Sequence, residues 1–197
     1  YTLSLHDALP IYEGQPISSL YELSPNKVIY IGSFSKILSP AIRVGFMLLP
    51  DNILESYKTL KMYSDVHTET ILQHVLAGFI GNGGLEKYIF RMKKLYNRKR
   101  KYLIKVLNTE FKNEFKIKGE AAGLHIVAHF YNVKFTESLI HKIFEAGIKV
   151  YPIQQYAIEN ILEYDHEIIL GYAHLSFDEI EKGVKILSKI IHMNQGT

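Results

Sequence analysis

The segment Gly32-Ser33-Phe34-Ser35-Lys36-Ile37-Leu38-Ser39-Pro40-Ala41-Ile42-Arg43-Val44-Gly45 constrains this chain more than any other. Two apolar runs bracket it, residues 28–31 and 44–49, and both read as buried strands. Residues 33–40 then read as the loop at the end of the first strand. A lysine in such a place can lie against the carbonyl of a bound cofactor and form a Schiff base with it. The hydroxyls of Ser33 and Ser35 and the guanidinium of Arg43 are what a phosphate needs for hydrogen bonds and a bidentate charge partner. Taken alone, the same residues also describe a surface loop with an exposed lysine and an arginine tied to a local carboxylate.

The form Gly-[Ser/Thr]-Phe-Ser-Lys-x-x-x-Pro-x-x-Arg-x-Gly resembles the lysine loop of fold-type I pyridoxal-phosphate (PLP) enzymes, the class I/II aminotransferases. Within that class it is most similar to the C-terminal domain of MocR-type transcription regulators of the GntR family. The stretch from Phe79-Ile80 through Gly83, Glu86-Lys87, Ile89, Arg91-Met92 and Leu95-Tyr96 to Arg98 adds to the resemblance. It implies an α/β fold: the C-terminal part of a fold-type I transferase, with a remnant of the large-domain sheet and a small α/β domain. It implies PLP as cofactor, Lys36 as the Schiff-base lysine, and Ser33 and Arg43 as phosphate ligands, with Ser35 assisting. Gly123-Leu124-His125 and Val150-Tyr151-Pro152 resemble segments that face the substrate, so His125 and Tyr151 are candidate substrate contacts. Without the resemblance, His125 reads as a half-buried strand histidine.

Three functions follow from this resemblance. The chain transaminates an amine or amino acid, it senses such a ligand for a regulator, or it is an inactive fragment. The implied partners are a small amine or amino-acid ligand, a second copy in a homodimer, and DNA only through an N-terminal winged-helix domain. A cytoplasmic location is expected.

The expected organisation is 12–84 for the PLP-binding remnant, 85–110 for a linking helix and 111–197 for the small domain. Residues 1–11 resemble a translated sequencing adapter, not MocR sequence. In the resembled class an aspartate pairs with the pyridine nitrogen and a tyrosine bonds the ring hydroxyl, roughly 30 to 36 residues before the lysine. Here that interval falls on or before residues 1–11, and His6 and Asp7 are in the wrong context to serve. The chain has 197 residues with 47% hydrophobic content, enough to bury a core. Zero cysteines exclude disulfides and thiolate metal sites. The histidines at 129, 141, 166 and 174 show no metal-ligand spacing. No apolar stretch reaches the roughly 18 residues of a membrane helix. The net charge of +3 is mild. The one basic cluster, from Arg91 through Lys101, falls within a helical pattern and reads mainly as a solvated face.

Apolar spacing predicts helices over about 53–63 with Asp51 as N-cap, 68–80, 85–107 and 135–146, the last stopped by Gly147. Ser176 and Glu179 form the capping box of a final helix to about 191. Strands are predicted at 115–117, 124–130, 148–151 and 167–173.

One departure has chemical weight. Aminotransferases hold the substrate carboxylate with an arginine in the strand before the last helix. This chain has no arginine after Arg100, and Ile169 occupies roughly the expected place. A desolvated guanidinium–carboxylate pair contributes about 2 to 4 kcal/mol. The ligand is therefore expected either to lack a conventional α-carboxylate or to use Lys, His or backbone N–H groups in place of the arginine. The domain otherwise senses its ligand without turning it over.

Overall fold

The computed structural model describes residues 11–13, 18–119, 121–159 and 161–195. The first ten residues, including His6 and Asp7, lie outside this set. The chain divides into two compact units, Tyr1–Lys93 and Lys94–Thr197, with the division inside one long helix.

The first unit begins with the short helix α1 (Leu20–Leu23). Strand β1 (Tyr30–Ser33), the single helical turn α2 (Phe34–Ile37), a 3-10 turn (Pro40–Ile42) and strand β2 (Gly45–Leu48) follow. Helices α3 (Asp51–Asp65) and α4 (Thr70–Gly81) come next, then the start of α5 (Gly84–Phe111). β1 and β2 pair antiparallel, Tyr30 opposite Leu48 and Ser33 opposite Gly45. Both strands were expected to be buried, and that needs correction. Ile31 is 72% exposed and Ile29 48%, because no described element covers their face of the pair. The core here is small: Phe34, Val44, Leu76 and Leu85, with Phe46, Leu72 and Phe79 packed against them. The predicted N-cap at Asp51 shifts by one. Pro50 takes that position and Asp51 falls in the first turn, where its charge suits the helix dipole. Glu69 caps α4 by accepting from the Ile71 and Leu72 amides.

The second unit combines the rest of α5 with β3 (Phe115–Lys118), β4 (His125–Phe130), α6 (Glu137–Glu145), β5 (Tyr151–Pro152), β6 (Glu167–Gly171) and α7 (Phe177–Gln195). The sheet order is β3-β4-β6-β5, and every pairing is antiparallel. Alternation sends Ile126, Ala128, Phe130 and Ile168 into one core with Leu103, Leu107 and Phe111 of α5, Leu139 and Ile143 of α6, and Ile180, Leu187 and Ile191 of α7. Phe111 meets Phe130 edge-on at 4.9 Å. β5 is shorter than the predicted 148–151, since it pairs only at Tyr151 and Pro152.

Local signals held well. Thr136 caps α6 through a bond from the Leu139 amide (3.3 Å), and Gly147 stops it at φ 84°, where a side chain would strain. The capping box closes reciprocally. The Ser176 amide donates to Glu179 (2.7 Å) and the Glu179 amide to the Ser176 hydroxyl (3.2 Å).

One polar cluster on the sheet's other face has no local signal. The Glu167 carboxylate, only 4% exposed, accepts from Lys118 Nζ at 2.5 Å and lies 3.0 Å from His129 Nδ1. It thereby joins β3, β4 and β6. Burial pushes this carboxyl up, but the bonds and charges of Lys118 and His129 outweigh burial and hold it below its ordinary value. A lowered native value stabilises the fold above the ordinary glutamate range, and the gain is lost as pH falls through the lowered value.

Glu167→Gln is expected to lower unfolding free energy by about 1.5 to 3 kcal/mol at neutral pH, with the gap closing under acid. Urea unfolding at both pH values checks this, and a gap independent of pH contradicts it. Ser176→Ala is expected to cost about 1 kcal/mol in the same assay.

Candidate functional site

The lysine loop is closed at its base by the strand pair. Ser33 opposes Gly45, and the Phe34 amide donates to the Val44 carbonyl at 3.0 Å. Phe34 is buried and packs at 5.3 Å on the Phe46 ring, so it anchors the loop to the core. Gly32 lets the Phe46 ring lie close against the loop's foot. A Cβ there would fall 2.3 Å from the Phe46 ring. From that base the chain turns through α2, whose N-cap is Ser33: its hydroxyl oxygen accepts from the Ser35 amide at 3.1 Å. The Leu38 amide closes the turn on the Phe34 carbonyl at 2.8 Å. Ser39 repeats the device, capping the 3-10 turn through the Ala41 amide at 3.3 Å. Tyr88 of α5 donates to the Leu38 carbonyl at 3.3 Å and holds the loop from the side.

The four predicted cofactor residues all fall within this loop. Lys36 is in the last position but one of α2 and is exposed. Arg43 follows the 3-10 turn in a left-handed conformation, φ 51° and ψ 30°. That backbone costs a non-glycine residue about 1 to 2 kcal/mol. Its exposed guanidinium makes one long contact, 3.5 Å, to the Pro40 carbonyl. The loop from Ser33 to Arg43 contains no Asp or Glu. One amine, two hydroxyls and one guanidinium without a competing acid suit a phosphate-bearing aldehyde.

His125 and Tyr151 belong to the second unit. His125 opens β4 opposite Gly171, and Tyr151 opens β5 opposite Ile169. Ile169 also opposes Val127. Directly paired residues share a face, so His125, Val127, Gly171, Ile169 and Tyr151 lie together on the face opposite the core. The two candidate substrate contacts and Ile169 therefore share one sheet face. Lys149 lies 5.1 Å over the Tyr151 ring. Tyr151 also lines a groove of about 760 Å³ with Ile140, Phe144 and Tyr156. Glu167 and His129 lie further along the same face. Sequence reasoning missed them because Lys118, His129 and Glu167 are far apart in the chain. The available hint was one acid heading the apolar run of β6. Among the described residues, no group of three His, Cys, Asp or Glu side chains is placed to hold a metal. Nor is any described helix long and apolar enough to cross a membrane.

Comparisons with known proteins identify the family and the fold. The family model for aminotransferase class I and II matches residues 8–185. An HTH-type transcriptional regulator of Bacillus subtilis, YdeL, is 35% identical over 89% of this chain and 38% of its own length. The probable rhizopine catabolism regulatory protein MocR of Rhizobium meliloti is 25% identical over 89% of the chain and 36% of its own. Among solved structures, LysN from Thermus thermophilus, an α-aminoadipate aminotransferase complexed with N-(5'-phosphopyridoxyl)-L-leucine, superposes with a TM-score of 0.79 at 23% identity. That match covers 97% of this chain and 49% of LysN. The chain therefore spans well under half of these regulators and about half of the enzyme. It has the mixed α/β fold of the corresponding part of an aminotransferase, and it belongs to the aminotransferase class I and II family.

Proposed function

We propose that this chain is the cofactor-bearing part of a PLP-dependent aminotransferase-like protein, with Lys36 Nζ as the covalent anchor for the PLP aldehyde. The observation that carries this is the closed loop holding Lys36, Ser33, Ser35 and Arg43 with no acid among them. When bound, PLP supplies an electron sink that lets an amine lose its α-proton. Arg43 offers its planar fork to the phosphate oxygens. The Ser33 oxygen is already an acceptor for the Ser35 amide, which leaves its hydroxyl proton to donate to phosphate. Ser35 adds a second hydroxyl. With PLP held there, the Lys36 amine would also serve as the base that takes the α-proton of a bound amine and returns it at the cofactor carbonyl carbon, as transamination requires.

A second reading is favoured by Ile169 and by the resemblance to regulators. On that reading the protein exchanges an amine at Lys36 and turns it over little. The exchange then biases the position of a DNA-binding winged helix, within a homodimer. Ile169 cannot form the bidentate bond that would hold an α-carboxylate for repeated turnover.

The test uses the intact protein as its gene encodes it, titrated with PLP and followed by visible absorption. Lys36→Ala is expected to abolish the bound-cofactor band, and Arg43→Gln to weaken PLP affinity about 10- to 100-fold. An unchanged band in Lys36→Ala contradicts the proposal. Release of a keto product from a panel of amines separates the enzyme from the sensor.

A further inference from the structure

The start of α5 does more for the lysine loop than pack beneath it. Lys36 is carried by α2, which is only four residues long, and a single helical turn does not hold itself together. The front of this turn is tied by the Ser33 cap and by the Phe34 amide on the Val44 carbonyl. Its end is tied from within by the Leu38 amide on the Phe34 carbonyl, and from outside by the Tyr88 hydroxyl on the Leu38 carbonyl at 3.3 Å. Tyr88 reaches across 50 residues of sequence to make that bond, and both partners lie in the first unit. Tyr88 shares a face of α5 with Leu85, which is fully buried, and with Ile89. These pack into the small core that also takes Ile37, Leu38 and Ile42 of the loop. Arg91 lies 6.0 Å over the Tyr88 ring, at the outer reach of a cation–π contact. A phenylalanine at position 88 would keep this packing, so the hydroxyl is there for the Leu38 bond. The guanidinium end of the loop has separate supports. Ser39 caps the turn before Arg43 through the Ala41 amide, the Ile42 amide closes it on the Ser39 carbonyl at 3.1 Å, and Val44 is buried.

We propose that Tyr88 is a positioning residue for Lys36: its bond to the Leu38 carbonyl sets the lysine turn so that the amine meets an aldehyde whose phosphate Arg43 holds. This rests on the reading of Lys36 above as the PLP anchor. Lys36 Nζ condenses with the aldehyde carbon, and its two amine hydrogens leave with the aldehyde oxygen as water. Such an attack needs the reacting atoms about 3 to 3.5 Å apart. Lysine carries its amine on a flexible four-carbon stem, so the backbone of the turn is the part that the fold can fix. Leu38 is two residues beyond Lys36, and holding its carbonyl fixes that backbone from the far side. Tyr88 touches neither cofactor nor ligand on this reading and acts through the turn. Losing its hydroxyl loosens the lysine end of the loop and leaves the guanidinium end in place. A general loss of packing would loosen both.

The test compares the intact protein with its Tyr88→Phe variant, each titrated with PLP and with pyridoxine 5'-phosphate, which has the same ring and phosphate but no aldehyde. The variant is expected to bind PLP about 3- to 10-fold more weakly, the worth of one neutral hydrogen bond, and pyridoxine 5'-phosphate within about twofold of wild type. Unchanged PLP affinity overturns the proposal. So does an equal loss for both ligands, which would make Tyr88 a packing residue. A second readout needs no cofactor. In the unloaded variant the Leu38 amide should exchange with solvent at least about threefold faster, while the Phe34 amide at the loop's foot keeps the wild-type rate. An unchanged rate at Leu38 overturns the proposal, and so does an equal rise at both amides. If the wild-type protein takes up no PLP, the cofactor reading fails, and exchange at Leu38 and Phe34 alone decides whether Tyr88 holds the turn.

Discussion

The pairing of Ser33 with Gly45 is the constraint on which the candidate site depends. It brings the two ends of the lysine loop together, and the Phe34–Val44 backbone bond and the Phe34 side chain then fix where the loop leaves the core. Everything between is short-range. Two serines cap two single turns, and one arginine accepts a left-handed backbone to end the second. The strain at Arg43 is tolerated because the residues on either side are held by other bonds. A loop built this way can present an amine and a guanidinium repeatably without a large core beneath it.

The second unit shows a different economy. Its inner sheet face is one continuous apolar core shared with three helices, and its outer face is chemically mixed. There an isoleucine stands between a histidine and a tyrosine, and a buried carboxylate is held by a lysine and a histidine on neighbouring strands. This face carries no arginine, and the proposed regulator reading draws on that.

What could be read from the sequence was mostly local. The Ser176–Glu179 box, the Gly147 stop and the helices around 53–63 and 85–107 depend on residues within a turn or two of each other, and the structure has them. Lys36, Ser33, Ser35 and Arg43 fall in one loop because the motif is itself contiguous. Burial of β1 was misjudged because apolar content shows that a strand can be covered, not that something covers it. The length of β5 was overestimated for a related reason, since pairing depends on what β6 offers. The Lys118–His129–Glu167 cluster joins three strands distant in sequence, and only the sheet register reveals it.

The most direct measurement is borohydride reduction of the PLP-loaded intact protein followed by peptide mapping. Reduction fixes the cofactor wherever a lysine carries it. The account predicts one phosphopyridoxyl mark, on Lys36. A mark on a different lysine, or spread over many, would contradict it.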